Sequence, residues 1–336
     1  KVIPKMPRGR NNNPIKNLSS ILEKVPAAAL FSHVSPDGDS LGSMLALGLA
    51  LESMGKKIYY YNAGPIPENL KFLPGIDLIS NVCPESLPDV LIFIDCAEAE
   101  RAHSTINKEL FNGKQVINID HHVSNSNFGT INWVDPKAAA TGEMVYSLLK
   151  KMGVVISQNI AINLYTAIIT DTGRFSYSNT TPNSFRVAAQ LVRTGIDLAT
   201  INNILFERKT FPQIKLLHKA LSNLQLLHNN TLAVIVLSQK DFWETGADES
   251  LSEGLVNYAR NIEQVEAAVL LKEIRDNEVK VSFRSNSWLD VNQVASKFNG
   301  GGHVRASGCT IYLPLTEAVK EVITALEEAL DSGRNN

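Results

Sequence analysis

Short apolar runs separated by amphipathic stretches dominate the first half of the chain. The runs are almost continuously hydrophobic, which predicts β-strands buried on both faces. Residues 40–54 carry the apolar positions of a helix, and Gly55 closes it. Strands alternating with helices are typical of βαβ units around a parallel sheet. The predicted strands are Ala27–Phe31, Lys57–Tyr61, Val90–Ile94 and residues 115–119.

The rest of the chain predicts more helix and then a second group of strands. The period of residues 159–170 fits either a buried strand or a buried helix, and their length favours a helix that ends at Asp171. We therefore expect an α/β protein with a parallel-sheet domain and a smaller C-terminal α/β domain with a mixed sheet. Further helices are predicted at 181–194, 198–208, 211–226, 252–261, 290–298 and 317–330, and further strands at 232–237, 267–274, 279–284 and 309–313.

The length of 336 residues predicts two domains, because single hydrophobic cores rarely grow beyond about 250–300 residues. The hydrophobic content of 44% is ample for burial. The segments that we expect are a flexible lead-in at 1–17, the larger domain at 18–208, a connecting helix or linker at 209–229 and a C-terminal domain at 230–336.

Charge and cysteine content bear on the kind of substrate and on the cellular compartment of the protein. The net charge is −2, so we expect no strongly basic surface for long nucleic acid, and any nucleic-acid substrate should be short. The three cysteines, Cys83, Cys96 and Cys309, are far apart, which predicts reduced thiols in the cytoplasm. No apolar run approaches the roughly 20 residues of a membrane helix, so no membrane partner is expected.

Candidate chemistry begins where the first predicted strand ends. His33 follows that strand, and Asp37 and Asp39 flank Gly38, so a tight turn can direct both carboxylates to one point. A surface β-turn would explain the same Pro-Asp-Gly-Asp residues. Mixed carboxylate and imidazole ligands suit manganese, iron or zinc.

Three further acidic segments follow, also at the ends of apolar stretches. Asp95 ends one strand, where a buried carboxylate is costly unless it is paired or bound to a metal. Asp120, His121 and His122 end the next strand, and Asp171 ends a predicted helix. A helix cap, a turn or a surface His pair would explain each segment alone. Together, at the carboxyl ends of neighbouring strands, they predict a two-metal hydrolytic site.

A glycine-rich segment in the C-terminal half is the other candidate site. Successive glycine N–H groups can cradle an anion, and arginine binds a terminal phosphate through two parallel hydrogen bonds. A long turn would explain the glycines equally well. The candidate substrate-binding residues are Arg284, Asn286, Gly300, Gly301, Gly302, His303 and Ser307, with Arg305 nearby.

These segments resemble the DHH phosphoesterase family. Residues 33–42, 94–95, 119–122 and 169–175 are similar to its four motifs, in the same order. The C-terminal segments are similar to its DHH-associated domain, and the compact two-domain form is most similar to the NrnA-type members. Those C-terminal segments are 283–286, 290–292 and 300–303.

The resemblance implies a ligand set and a manganese cofactor of two ions per chain. One ion would be held by His33, Asp37 and Asp95, and Asp95 would bridge to the second. Asp120 would orient a histidine, and His122 would contact the scissile phosphate. The active site would lie in the cleft between the domains. The second ion would be held by Asp39, Asp95, His121 and Asp171.

The resemblance also implies the activity, which is hydrolysis of short oligoribonucleotides and dinucleotides such as pApA to mononucleotides by a metal-activated hydroxide. The alternatives are a 3′-phosphoadenosine 5′-phosphate (pAp) phosphatase and a cyclic-di-AMP phosphodiesterase, since the same ligands serve all three reactions. A manganese pyrophosphatase lacks the glycine-rich segment and is disfavoured, as is a non-catalytic nucleotide sensor. A homodimer is left open.

Overall fold

The computed structural model describes residues 14–83, 86–102 and 111–333. Contacts divide the chain into two compact units, Lys1–Arg208 and Lys209–Asn336. Of the expected lead-in at 1–17, residues 1–13 lie outside the described part, and residues 14–17 open the first helix. The segment 209–229, expected as a connecting helix or linker, contributes a helix and a short strand to the second unit.

The first unit contains a six-stranded sheet, and all of its described strand pairs are parallel. The strand order is β3-β2-β1-β4-β5-β6, so the order reverses between β1 and β4. In open sheets of this kind, ligands bind at the carboxyl ends of the strands beside such a reversal. The strands are β1 (Ala27–Phe31), β2 (Lys57–Tyr61), β3 (Ile79–Ser80), β4 (Val90–Ile94), β5 (Gln115–Asp120) and β6 (Ile131–Val134).

Helices bury one face of this sheet. Alternate strand residues such as Leu30 and Ile92 join a core with helical side chains, while Phe31 and Phe93 stack on the opposite face, 4.9 Å apart. Successive strand residues point to opposite faces, so both faces are apolar and the strands read as continuous hydrophobic runs. The helices are α1 (Pro14–Lys24), α2 (Gly38–Ser53), α3 (Thr141–Lys151), α4 (Gln158–Asp171), α5 (Pro182–Val192) and α6 (Leu198–Asn202).

The four strands predicted for the first unit are confirmed, as is the helical choice for 159–170. The helix predicted at 198–208 is interrupted, because α6 gives way to a π-helical turn at Asn203–Glu207. Four elements were not predicted from the sequence: the helices α1 and α3 and the short edge strands β3 and β6. Edge strands of two to four residues leave little alternation from which to predict them.

The second unit contains a mixed sheet in the order β11-β12-β10-β9-β8-β7. Only the β8–β9 pair is parallel among its described pairs, which confirms the predicted mixed α/β domain. The strand predicted at 309–313 begins earlier, at Ala306, and ends at Ile311, and the next residue, Tyr312, is exposed. The strands are β7 (Gln225–Leu227), β8 (Leu232–Leu237), β9 (Ala267–Arg275), β10 (Glu278–Ser285), β11 (Gly301–His303) and β12 (Ala306–Ile311).

The described part of the second unit also contains five α-helices and a 3-10 turn at Glu249–Ser252. Apolar side chains such as Val322 and Leu326 of the C-terminal helix pack against the strands in one of its cores. Within the residues that the structure describes, no helix combines the length and the apolar character needed to cross a membrane. The helices are α7 (Phe211–Ser222), α8 (Gln239–Thr245), α9 (Leu255–Arg260), α10 (Val291–Ser296) and α11 (Leu315–Gly333).

Candidate metal centre

The reversal between β1 and β4 lies at the centre of the candidate site. His33 follows β1 and Asp95 follows β4, and both side chains are buried. Asp95 has a left-handed backbone with φ 58°, a conformation that costs a non-glycine residue free energy and is often found at functional sites. The sheet topology therefore brings two residues 62 positions apart in the sequence to one point.

Two helix termini and a third strand supply the other predicted groups. Asp37 is the N-cap of α2, where its side chain accepts a hydrogen bond from Ser40 N–H, and Asp39 lies in the first turn of that helix. Asp171 is the last residue of α4. Asp120 ends β5, and the two histidines follow it.

The side chains converge into three groups that could each hold a metal ion, with the ligand atoms of each group within 4.8 Å of one another. Carboxylate oxygens with imidazole nitrogens are a donor set that suits manganese, iron or zinc. The donor chemistry therefore fits divalent cations. The groups are His33, Asp37 and Asp95; Asp39, His121 and Asp171; and Asp95, His121 and His122.

Asp95 connects the groups because its two oxygens face different imidazoles. Its Oδ2 lies 3.5 Å from His33 Nε2, and its Oδ1 lies 3.7 Å from His121 Nε2. Nε2 of His33 also lies 3.7 Å from Asp37 Oδ2. These separations exceed a good hydrogen bond, so these imidazoles and carboxylates do not fully satisfy one another. Nδ1 of His33 is also buried, and no described residue forms a hydrogen bond with it.

His121 faces the second group through one nitrogen. Its Nδ1 lies 3.2 Å from the Ala138 carbonyl oxygen, and its Nε2 lies 3.7 Å from Asp39 Oδ2 and 3.5 Å from Asp171 Oδ2. If Nδ1 carries the proton and donates to that carbonyl, Nε2 has a lone pair for a cation, the usual arrangement of a metal-binding histidine.

Asp39 is a buried carboxylate held by three donors. Thr141 N–H donates to its Oδ2 at 2.7 Å, and Gly142 N–H and the Ser43 hydroxyl donate to its Oδ1 at 2.9 and 3.0 Å. Burial, followed by the charges of Asp95 and Asp171, nevertheless raises the pKa of Asp39 well above its usual range. A bound cation would offset that repulsion.

His122 is oriented by a chain of hydrogen bonds. Its Nδ1 lies 2.7 Å from Asp120 Oδ1, and the amide of Asn125 donates to Asp120 Oδ2 and, at 2.8 Å, to Asn118 Oδ1. Burial raises the pKa of Asp120, but the bonds from His122 and Asn125 outweigh it and lower that pKa. The bond to Asp120 in turn raises the pKa of His122. The pair is therefore suited to keep a proton on His122.

Burial and neighbouring charges also shift the pKa values of three other groups in the cluster. Burial lowers the pKa of His33, but the neighbouring Asp37 and Asp95 outweigh it and raise the pKa to about 9. Burial raises the pKa of Asp37, and contact with His33 outweighs it, so that pKa is lowered. Burial, opposed by the charge of His121, raises the pKa of Asp171 to about 6.

The predicted substrate-binding residues lie on strands of the second sheet or directly beside them. His303, Ala306 and Arg284 are register partners across β11, β12 and β10. Gly301 and Gly302 lie in β11 and Gly300 directly precedes it, so a strand takes the place of the alternative of a long turn. A Cβ on Gly302 would lie 2.6 Å from the Ala306 carbonyl oxygen, so the absence of a side chain permits this close pairing.

Two of the polar candidates in the second unit are engaged within it. The Asn286 amide donates to the carbonyls of Arg260 and Val265 at 2.8 and 2.7 Å. The Ser307 hydroxyl is buried and donates to the Val291 carbonyl at 2.7 Å. Both bonds fix the loops around β10 and β12.

Three residues that hold predicted site residues in place were not predicted from the sequence: Thr141, Gly142 and Asn125. Asn125 was the easier to find, because it closely follows the two histidines and has an amide that can donate to Asp120. Thr141 and Gly142 contact Asp39 across more than 100 positions of sequence, so no local pattern marks them.

Residues 28–168 match the DHH family, N-terminal domain, and residues 229–332 match the DHHA1 domain. The chain belongs to the DHH family, which confirms the resemblance noted from its motifs. It is 38% identical over 302 residues to the bifunctional oligoribonuclease and PAP phosphatase NrnA of Thermus thermophilus, covering 89% of each chain. It is 32% identical to the protein of that name from Bacillus subtilis, covering 84% of this chain and 88% of that one.

Solved structures agree with the fold. An exopolyphosphatase-related protein from Bacteroides fragilis superposes with a TM-score of 0.85 at 28% identity, covering 94% of this chain and 96% of that one. RecJ of Thermus thermophilus in complex with Mn²⁺ matches with a TM-score of 0.52 at 14% identity, covering 94% of this chain and 54% of RecJ. The RecJ likeness concerns the fold alone.

Proposed function

We propose that this protein is a metal-dependent phosphoesterase that hydrolyses short oligonucleotides and dinucleotides to mononucleotides. The observation that carries the proposal is the partly buried carboxylate and imidazole cluster at the reversal between β1 and β4. The similarity to NrnA proteins, which are named as oligoribonucleases, supports the substrate class.

We propose two manganese ions as the cofactor. Asp95 is suited to bridge them, because its two oxygens face His33 and His121 separately. Divalent cations bound there would supply a nucleophile at neutral pH by lowering the pKa of water and would stabilise charge on the phosphate. The first ion would be held by His33, Asp37 and Asp95, and the second by Asp39, Asp95, His121 and Asp171.

His122 and Asp120 have a separate role in this proposal. Asp120 accepts a hydrogen bond from His122 Nδ1 and favours the protonated imidazole. The opposite nitrogen, Nε2, can then donate to a non-bridging phosphate oxygen and stabilise the charge that develops there. Asn125 fixes Asp120 from its other side.

The second unit would contribute substrate contacts. Arg284 and His303 carry donors for a phosphate, and Gly300, Gly301 and Gly302 let the backbone approach a ligand closely. Asn286 and Ser307 would act by holding this surface in shape, since their side chains already bond to backbone carbonyls.

A second activity on pAp is favoured by one observation. The similar NrnA proteins carry PAP phosphatase in their names beside oligoribonuclease, and one cluster can serve phosphodiesters and phosphomonoesters. The cyclic-di-AMP phosphodiesterase and the nucleotide sensor are not favoured over this proposal. A cytoplasmic location and a homodimer stay predictions; the three cysteines, all free, agree with the first.

The test is product analysis by chromatography. Protein stripped with chelator and reconstituted with Mn²⁺ is incubated with pApA, a five-nucleotide RNA, pAp and cyclic di-AMP in parallel. We expect mononucleotides from the first two, adenosine monophosphate from pAp, and no turnover in chelator. If only cyclic di-AMP is hydrolysed, the proposed substrate is wrong. If no substrate is hydrolysed with metal present, the proposed enzymatic activity is refuted.

A further inference from the structure

Thr141, the first residue of α3, contacts two carboxylates of the cluster at once. Its N–H donates to Asp39 Oδ2 at 2.7 Å, and its hydroxyl donates to Asp95 Oδ1 at 3.0 Å. The residue is fully buried, so water does not compete for either bond. One residue therefore connects the carboxylate in the first turn of α2 with the carboxylate that follows β4.

The hydroxyl bond has a direct geometric effect on Asp95. Because Oδ1 accepts from Thr141, rotation of the carboxylate about its last side-chain bond would break that hydrogen bond. The bond thus keeps Oδ1 on the side of His121 Nε2 at 3.7 Å and Oδ2 on the side of His33 Nε2 at 3.5 Å.

The two carboxylates depend on Thr141 to different degrees. Asp39 has two other donors, Gly142 N–H and the Ser43 hydroxyl. Within the described part of the chain, the Thr141 hydroxyl is the sole side-chain hydroxyl or amide that bonds to Asp95. Removing the hydroxyl while keeping the backbone should therefore disturb Asp95 and leave Asp39 in place.

We propose that Thr141 is a positioning residue for the metal centre and that its hydroxyl sets the orientation of Asp95 and thereby the affinity for the divalent cation beside His121. The inference rests on the metal site of the proposed function but does not depend on which substrate the protein hydrolyses. Partners that hydrogen-bond to metal ligands typically contribute about 10–100-fold in metal affinity, which is the size of effect expected here.

The test compares Thr141→Val with Thr141→Ser in the full chain. Valine has nearly the shape of threonine and keeps the N–H to Asp39 but lacks the hydroxyl, whereas serine keeps both donors. Mn²⁺ binding to chelator-stripped protein is measured by calorimetry, with free Mn²⁺ counted by electron paramagnetic resonance. We expect Thr141→Val to bind one ion about 10–100-fold more weakly, and Thr141→Ser to stay within about threefold of wild type.

Equal Mn²⁺ affinity in wild type and Thr141→Val would overturn the inference, as would an equal loss in Thr141→Ser. Thermal unfolding of the stripped proteins checks that the fold survives, and Thr141→Ala gives the same comparison should the valine variant not fold. Wild type that binds Mn²⁺ but hydrolyses no nucleotide would refute the proposed function and leave this test intact. Wild type that binds no Mn²⁺ would refute both.

Discussion

Metal binding should become tighter as pH rises, and His33 provides the main reason. Its pKa is raised to about 9 by Asp37 and Asp95 against the effect of burial, so the metal-free protein holds a proton on His33 at pH 7. A metal ligand must be the neutral imidazole. Binding therefore displaces this proton, and affinity increases as pH approaches 9.

The size of the effect follows from the pKa. With the pKa at about 9, roughly 1% of His33 is neutral at pH 7, which costs about 2.7 kcal/mol of binding free energy relative to pH above 9. Apparent Mn²⁺ affinity should rise about tenfold per pH unit between 7 and 8.5 from this group alone. Asp39, whose pKa is also raised by burial and nearby carboxylates, acts in the same direction.

Calorimetry in buffers of different ionisation enthalpy counts the protons released at each pH. We expect about one proton or more per His33-containing site at pH 7.5. His33→Gln should bind more weakly and lose most of the pH slope, while His218→Gln, at an exposed histidine of α7, should behave as wild type. An affinity independent of pH between 7 and 8.5, with no proton release, would refute the reasoning.

Three substitutions test the proposed roles. Asp95→Asn keeps a residue that tolerates the left-handed backbone but removes the bridging charge, so turnover should fall by about 10³-fold or more; near-normal turnover would exclude bridging. Asn125→Ala removes the donor to Asp120, so kcat should fall about 10-fold while Mn²⁺ affinity stays unchanged; weaker metal binding would contradict that role. Arg284→Ala should raise KM for pApA about 10-fold with little change in kcat; an unchanged KM would remove Arg284 from the substrate site.

The convergence of His33, Asp95 and Asp120 could be predicted because each follows an apolar run. Parallel strands end at one edge of a sheet, so residues distant in sequence meet there without any knowledge of the loops. The helix that ends at Asp171 was predictable from its length, although its period was ambiguous. These parts of the site depend on local patterns that the sequence displays directly.

Helix α3 shows why the rest could not be predicted. Its N-cap is Ala140, which makes no side-chain capping bond, so the usual sequence mark of a helix start is absent. Asp39 accepts the N–H groups of Thr141 and Gly142 instead. Similarly, the glycines at 300–302 predicted a backbone cradle for an anion, with a long turn as the alternative, whereas Gly301 and Gly302 pair with β12 as a strand. Both outcomes depend on contacts between distant segments.

Because Asp39 caps α3, two backbone amides of that helix can report metal binding at the site. Amide protons exchange with solvent only when their hydrogen bonds open, and the N–H groups of Thr141 and Gly142 are bonded to a carboxylate proposed as a ligand. If added Mn²⁺ binds at this site, deuterium uptake at these two amides should slow. The measurement would therefore report metal binding in the absence of substrate. The same measurement could rank cations by how firmly each one holds the first turn of the helix.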